Sequence, residues 1–141
     1  MIEITEYRER MRLTISAMLM GDDLWVALAG HGRPHIGAVA VSRPRPSPDG
    51  AGTTTATTSV LAVVGHKEDQ IARRMAARLA STLGAVVIVS CGIHLEGASE
   101  RTTENITETV AAMTEDLIDE VTFRRSIPTG GRHALEASPL G

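Results

Sequence analysis

Four of the five histidines stand in three short segments that are rich in glycine. Residues 30–37 contain His31 and His35, residues 65–69 contain His66, and residues 92–97 contain His94. Imidazole nitrogens bind divalent metals, exchange protons near neutral pH and donate hydrogen bonds to anions. Glycine allows a ligand or another backbone to come close. These residue types therefore favour a ligand-binding site.

The apolar pattern predicts which elements must position these segments. Alternating or continuous apolar residues predict strands, and an apolar stripe with helical spacing predicts helices. The order is four strands, a helix, a strand and a second helix. We expect one mixed β-sheet of the α/β class, with both helices on one face. The predicted strands cover residues 11–19, 24–29, 35–42, 53–64 and 85–91, and the helices cover 67–83 and 99–120.

The remaining segments are predicted to lie outside these elements. Residues 1–10 are polar and mixed in charge, which indicates a lead-in with some helical character. Residues 43–52 contain three prolines, which we expect to end strand pairing there. Residues 122–141 contain Pro, Gly and Ser without periodicity. We therefore predict a single domain over 1–121 and a flexible C-terminal tail over 122–141.

Chain connectivity predicts that the three histidine segments meet at one edge of the sheet. If the strand over 53–64 pairs antiparallel with that over 35–42, it ends where the earlier strand begins, and His66 follows close to His35. The helix that comes next makes a crossover connection. The strand over 85–91 then runs parallel to that over 53–64 and brings His94 to the same edge.

Both predicted helices also begin at this edge. Helix N-termini bind anions through free N–H groups and the helix dipole. Lys67, the single lysine of the chain, adds a positive charge in the first turn. We therefore predict an anion site, with phosphate as the expected anion. Glu68, Glu96 and the histidines could hold a divalent metal that bridges to it.

Each of these residues also has a plain structural explanation. A histidine beside a strand is often a surface or capping residue, Lys67 could be merely solvated, and Cys91 after an apolar strand suits an inert core position. The sequence contains no nucleophile elbow, Walker loop, dinucleotide fingerprint or His-Glu-x-x-His motif. The segments therefore indicate a binding site rather than a reaction centre, and we assign no catalytic residue.

The composition excludes several classes of protein. Only 2% of residues are aromatic and the net charge is −3, which argues against nucleic-acid binding. No apolar run is long enough to span a membrane, and the charged N-terminus does not resemble a signal peptide. A lone cysteine suits a reducing compartment. We expect a cytoplasmic protein without a membrane partner.

The same residues resemble a known family. Gly65-His-Lys-Glu-Asp69, followed by an Ala/Arg-rich helix and a Val/Ile strand that runs into Gly92-Ile-His94, is similar to the LpdD-type prenylated-flavin chaperones. His35-Ile-Gly-Ala-Val39 also fits the family pattern. The resemblance implies a fold like that of proteasome assembly chaperones and self-association into a homo-oligomer. It also implies binding of prenylated FMN, or FMN, for delivery to an apo UbiD-type decarboxylase.

Taken together, these observations predict a non-catalytic flavin-binding chaperone. The predicted cofactor-binding residues are His35, Gly37, Gly65, His66, Lys67, Glu68, Gly92 and His94, and the predicted metal ligands are His35, His66 and His94. Two alternatives remain open. One is a small metal-dependent enzyme that acts on a phosphorylated or carboxylated molecule, with His66 or His94 as general base. The other is an interaction module without a ligand.

Overall fold

Six strands and two helices make up the part of the chain that the structure, a computed structural model, describes: residues 1–30, 32–63, 67–95 and 97–128. The strands and helices are β1 (Ile2–Arg8), β2 (Met11–Met20), β3 (Asp23–Gly30), β4 (Ala38–Pro46), β5 (Thr54–Ala62), α1 (Lys67–Leu83), β6 (Val87–Ile93) and α2 (Glu100–Ser126). The predicted succession from β2 to α2 is confirmed.

The strands form one mixed sheet in the order β1-β2-β3-β6-β4-β5. The hairpins β1–β2, β2–β3 and β4–β5 are antiparallel. The crossover through α1 carries the chain from β5 past β4, so that β6 lies between β3 and β4, parallel to β3 and antiparallel to β4. Because β4 is antiparallel to both β5 and β6, these two run in the same direction, as predicted. The mixed sheet is thereby confirmed.

Both helices cover the same face of this sheet, which confirms the predicted layering. Residues that face each other across neighbouring strands, such as Ala17, Val26 and Val89, are all buried. α1 packs on β4, β5 and β6, and α2 packs on α1 and β1. The helices add the apolar side chains Ile71, Met75, Leu79, Ile106, Met113 and Leu117 to this core. Neither helix combines the length and apolar composition that a membrane-spanning helix needs.

The prediction for the N-terminus is wrong, because residues 2–8 form strand β1 rather than a lead-in with helical character. A tight turn at Glu9, whose φ is 56°, folds β1 back onto β2. Ile2 is buried, while the polar residues that alternate with the isoleucines point away from the core. β1 is an edge strand, and edge strands commonly carry charged side chains.

The prediction that the prolines end the pairing at residue 43 is also wrong. β4 runs through Pro44 to Pro46 and stays paired with β5 over its whole length. β6 pairs with β4 only from Ala38 to Ser42. Beyond Ser42 one side of β4 therefore has no ladder, and a proline on that side breaks no hydrogen bond.

The predicted boundary between domain and tail falls inside a helix. α2 begins after its N-cap Ser99, as predicted, but it continues to Ser126 instead of ending near residue 120. Residues 122–126, assigned to the tail, are thus the last turns of α2. Val121 is buried, and Arg125 donates hydrogen bonds to the carbonyl oxygens of Leu83 and Asp22. The predicted flexible segment over 129–141 lies outside the described residues.

Candidate functional site

The strand ends named in the sequence analysis meet at one edge of the sheet. β4 begins there, β3, β5 and β6 end there, and both helices begin near it. Just before β4, the backbone N–H of Gly37 donates to the carbonyl oxygen of Cys91, and the carbonyl oxygen of Gly37 accepts from Val63. Gly37 therefore ties the end of β6 to the end of β5. The predicted meeting of the strand ends is confirmed.

Two glycines at this edge are required by the packing of the chain itself. A Cβ atom on Gly37 would overlap the carboxylate of Glu68, and one on Gly92 would overlap the backbone carbonyl of His35. At both positions, the space beside the glycine that was expected to admit a ligand is therefore filled by a neighbouring protein group. As a result His35, Gly37, Glu68 and Gly92, four predicted site residues, form one contiguous cluster.

His35 is held by a hydrogen bond to the backbone and lies beside a carboxylate. Its Nδ1 lies 2.9 Å from the carbonyl oxygen of Arg33, and since a carbonyl can only accept, Nδ1 carries a proton. Its Nε2 lies 3.4 Å from Oε1 of Glu68. The backbone hydrogen bond to Arg33 has the largest effect and raises the pKa of His35; burial lowers it by less, and Glu68 adds a further increase. The protonated imidazolium is therefore more favoured here than in a free histidine.

Glu68 retains unused hydrogen-bonding capacity in a buried position. The residue is only 7% exposed, and its Oε2 has no hydrogen-bond partner among the described residues. Oδ1 of Asp69, the next residue, is likewise buried and unpartnered there. Buried polar oxygens normally have a partner, so the start of α1 can accept a hydrogen-bond donor or a cation.

The acidic first turn of α1 argues against the expectation that both helix N-termini bind phosphate. Glu68 and Asp69 suit the positive end of the α1 dipole, but they disfavour an anion at the same place. The first turn of α2 differs, because its one acidic residue, Glu100, is exposed. The Oγ of Ser99 accepts from the N–H of Thr102 at 3.1 Å. The start of α2 is therefore the more favourable of the two for an anion.

His94 follows β6 and is exposed, five residues before the N-cap of α2. A Cβ atom added to Gly32 would lie 3.0 Å from the Cβ of His94. The segment that leads to His35 therefore passes directly beside His94. Gly32 has φ of 117°, which favours glycine. Residue type alone gave no reason to assign Gly32 or the Arg33 carbonyl to the site; their one signal is their position between two histidines.

The other predicted site residues lie outside what the structure describes. These are His31, Gly65, His66 and Glu96; Lys67 is the first residue of α1, and its side chain is also outside. Among the described residues, no three His, Cys, Asp or Glu side chains group closely enough to hold a metal ion. Since the predicted trio His35, His66 and His94 includes an undescribed residue, metal binding stays a prediction.

Cys91 lies in the core beside this cluster and is fully buried. Burial, with a smaller contribution from the charge of Glu68, raises the pKa of its thiol to about 12. A thiol with that pKa is protonated at neutral pH and is a poor nucleophile. This agrees with the interpretation of Cys91 as a core residue.

Comparison with known families agrees with the resemblance noted in the sequence. No curated protein is significantly similar to the chain. A family model described as the prenylated flavin chaperone LpdD-like domain matches residues 7–122, which include β2 to β6, α1, most of α2 and every predicted site residue. The chain therefore belongs to the LpdD-like family of prenylated-flavin chaperones.

Proposed function

We propose that this protein binds prenylated FMN at the sheet edge formed by His35, Gly37, Glu68, Gly92 and His94, and delivers it to an apo UbiD-type decarboxylase. Family membership supports the cofactor class. The main observation that supports this location for the flavin site is the buried Oε2 of Glu68, which has no hydrogen-bond partner among the described residues. A buried acceptor of this kind is costly unless a ligand or solvent satisfies it.

The residues of this edge offer complementary groups to the two ends of a flavin mononucleotide. Oε2 of Glu68, which is buried against Gly37, would accept a hydrogen bond from a ribityl hydroxyl or a ring N–H once the segment that covers it moves aside. His94 and the free N–H groups at the start of α2 would hold the phosphate, away from the carboxylates of α1. His35, fixed by the Arg33 carbonyl, would keep the Glu68 carboxylate oriented.

The open position of this edge suits a carrier, which must release its ligand. His94 is exposed and the side chain of His35 is one-third exposed. A second protein could therefore reach the ligand without unfolding the domain. A metal that bridges the phosphate to His66 and His94, and to His35 when its Nε2 is unprotonated and released from Glu68, is part of the same proposal, as is the cytoplasmic setting.

Binding can be tested with purified protein and reduced prenylated FMN under anaerobic conditions. We expect the protein to retain the flavin through gel filtration at micromolar concentration. Glu68→Gln and His94→Ala should each weaken binding by about tenfold or more, equivalent to ~1.4 kcal/mol. Glu115→Gln is the matched control, because its carboxylate lies between α1 and α2 and pairs only with Arg78 among the described residues. No retention, or equal losses in all three variants, would overturn the proposal.

Delivery and catalysis can be separated in a second experiment. The loaded protein should activate an apo-decarboxylase faster than free prenylated FMN does, and should convert no substrate by itself. Turnover of a phosphorylated or carboxylated substrate without the decarboxylase would instead support the small metal-dependent enzyme. Flavin retention without any effect on the decarboxylase would show binding and disprove delivery.

A further inference from the structure

β5 is an edge strand of the sheet, and one side of its backbone has no partner strand. Just before β5, the carbonyl oxygen of Thr53 accepts a hydrogen bond from the N–H of Ser47 on the β4 side. Just after β5, the N–H of Val63 donates to the carbonyl oxygen of Gly37. Because backbone groups alternate along a strand, the odd-numbered residues of β5 face β4 and the even-numbered residues direct their N–H and C=O groups outward. The residues of this outer side are Thr54, Ala56, Thr58, Val60 and Ala62.

β5 lacks the features that normally protect an edge strand from pairing with another strand. Such edges are usually short, charged, interrupted by proline or bent by a bulge. β1, the other edge, carries Glu3, Glu6 and Arg8. β5 contains no charged residue and no proline, and its register with β4 runs without a bulge over all nine residues. The outer side of β5 is therefore a regular edge on which a further strand can pair.

Three arginines flank the first half of β5. Arg43 and Arg45 lie on β4 beside it, on the face opposite the helices. Arg73 of α1 lies on the helix side, where its Nη1 is 3.5 Å from the outward carbonyl oxygen of Thr58. All three are exposed, and none forms an ion pair within the described part of the chain. A strand added beyond β5 would therefore meet positive charge on both of its faces.

The distances allow these arginines to reach an added strand. Adjacent strands are ~4.8 Å apart, so Arg43 and Arg45 would be ~10 Å from its backbone, a gap that an arginine and a glutamate side chain bridge together. The contact of Arg73 with Thr58 is long for a hydrogen bond, so a carboxylate can replace it. Acidic side chains on the added strand are therefore favoured beside the first half of β5.

The second half of β5 is apolar and has different surroundings. Leu61 and Val63, which follow each other on the face opposite the helices, are 69% and 62% exposed. α1 turns back after β5, so Asp69, one helical turn before Arg73, lies toward the end of β5. Its negative charge disfavours a second acidic group there. The end of the edge therefore favours apolar side chains.

We propose that β5 binds an extended segment of a partner protein as a seventh, antiparallel strand. The segment is apolar in its first half, beside Leu61, and acidic in its second half, beside Arg43, Arg45 and Arg73. Antiparallel pairs are slightly more stable per residue than parallel ones. In such an addition the main chain supplies affinity and alternate side chains supply specificity. The proposal does not depend on flavin binding, because the outer side of β5 contains no residue of the proposed flavin site.

A synthetic peptide of this pattern is the probe. The sequence Thr-Val-Val-Thr-Glu-Glu-Thr-Glu-Thr, with blocked ends and a fluorescein label, places its acidic half beside the arginines when it pairs antiparallel. We expect saturable binding to the full chain by fluorescence anisotropy, weakened at high ionic strength. The same peptide in reverse order should bind about tenfold more weakly or worse, because its acidic half then lies beside Asp69.

N-methylation separates strand pairing from simple charge attraction. In the antiparallel register, the third, fifth and seventh residues of the peptide direct their N–H groups toward β5, and the fourth, sixth and eighth direct theirs away. N-methylation of the first set should abolish binding, because it removes the donors to β5. N-methylation of the second set keeps the same charge and composition, and binding should persist.

Amide hydrogen exchange gives a direct measure of the edge. The outward N–H groups of Ala56, Thr58 and Val60 should exchange fast in the free protein and slowly with the peptide bound. The N–H groups of Thr57 and Ser59, which face β4, should be protected in both states and serve as the internal control. NMR resolves the individual residues.

Substitutions in the protein test the charges and the edge separately. Arg45→Glu and Arg73→Glu should each weaken peptide binding by about tenfold or more. Arg12→Glu changes the net charge equally at an exposed residue of β2, and binding should be unchanged. Ala56→Pro removes an outward donor while the pairing with β4 is kept, and should also weaken binding. Circular dichroism should show that the variants are folded.

Several outcomes would overturn the proposal. Equal binding of the forward and reversed peptides would exclude the polarity, and binding that survives N-methylation on the β5 side would exclude strand pairing. Absence of any peptide binding would exclude both. If the outward N–H groups become protected with rising protein concentration and no peptide, a second copy of the chain occupies the edge instead. If Ala56→Pro fails to fold, the N-methylated peptides still decide with the wild-type protein.

Discussion

The carboxylate of Glu68 occupies the space that a side chain at Gly37 would need, so the start of α1 lies directly against the start of β4. The same carboxylate reaches His35 with Oε1 and leaves Oε2 without a partner among the described residues. One buried side chain thereby links the helix, the strand and the histidine segment. It is the residue on which the candidate site depends most.

Gly37→Ala should destabilise the protein by ~1–3 kcal/mol, because the new Cβ forces the Glu68 carboxylate or the start of β4 to move. Urea unfolding followed by circular dichroism measures this. The double variant Gly37→Ala/Glu68→Ala should be less destabilised than the sum of the two single variants, since the shorter side chain removes the overlap. Additive losses would show that residues 37 and 68 are not in contact.

His35 should titrate above its ordinary pKa of 6.5, chiefly because its ring donates to the Arg33 carbonyl and also because Glu68 faces it. A pKa raised by folding contributes stability that is complete below pH 6.5 and is lost as the pH rises through the folded-state pKa. NMR titration of the ring should give a value above 6.5, and Glu68→Gln should lower it. His35→Gln should remove this part of the pH dependence of unfolding. A value at or below 6.5 would contradict the arrangement.

Cys91 should resist alkylation in the folded protein. A pKa of about 12 leaves roughly a thousandfold less thiolate than the ordinary value of 9.0 does, and the sulfur is also buried. Iodoacetamide at pH 8 should therefore label the native chain far more slowly than the denatured chain, as measured by mass spectrometry. Equal labelling rates in the two states would show that the thiol is accessible.

Arg125→Ala should destabilise the protein by ~1–2 kcal/mol, because its guanidinium donates to the carbonyl oxygens of Leu83 and Asp22, each at 2.7 Å. Arg124→Ala is the matched control: Arg124 pairs only with Glu120 within α2 among the described residues, a contact worth less than ~0.5 kcal/mol. Guanidinium unfolding would compare the two variants. Equal effects would indicate that the last turn of α2 is not anchored to the fold.

Much of the fold could be predicted because most elements have a clear periodicity. α1 has its apolar residues on one face and ends at Leu83; Gly84, which follows, has φ of 62° and matches the glycine cap expected there. β1 was missed because only Ile2 and Ile4 mark its inner face, among five polar or charged neighbours. The proline-containing half of β4 could not be predicted, because it pairs with β5 on one side only. Its other side has no partner because β6 begins at Val87, opposite Ser42, and β6 is far from β4 in the sequence.

The candidate site was predicted as a meeting of segments, and only in part as a set of contacts. Connectivity alone required the ends of β5 and β6 to reach the start of β4. It could not show that Gly37 and Gly92 are required by neighbouring protein groups, or that Arg33 orients His35 through its carbonyl. Every residue has a backbone carbonyl, so residue type cannot show which carbonyl accepts a hydrogen bond from a histidine. Such a partner can be identified only in the folded structure.

The sequence by itself determined the chemical groups, the succession of elements from β2 to α2 and the family, because these depend on local pattern and residue type. The tertiary structure decided that β6 lies between β3 and β4 and that Glu68 is buried against Gly37. Each of these brings together residues that are distant in the chain. Their free energies depend on packing and desolvation in the folded state, which no local segment contains.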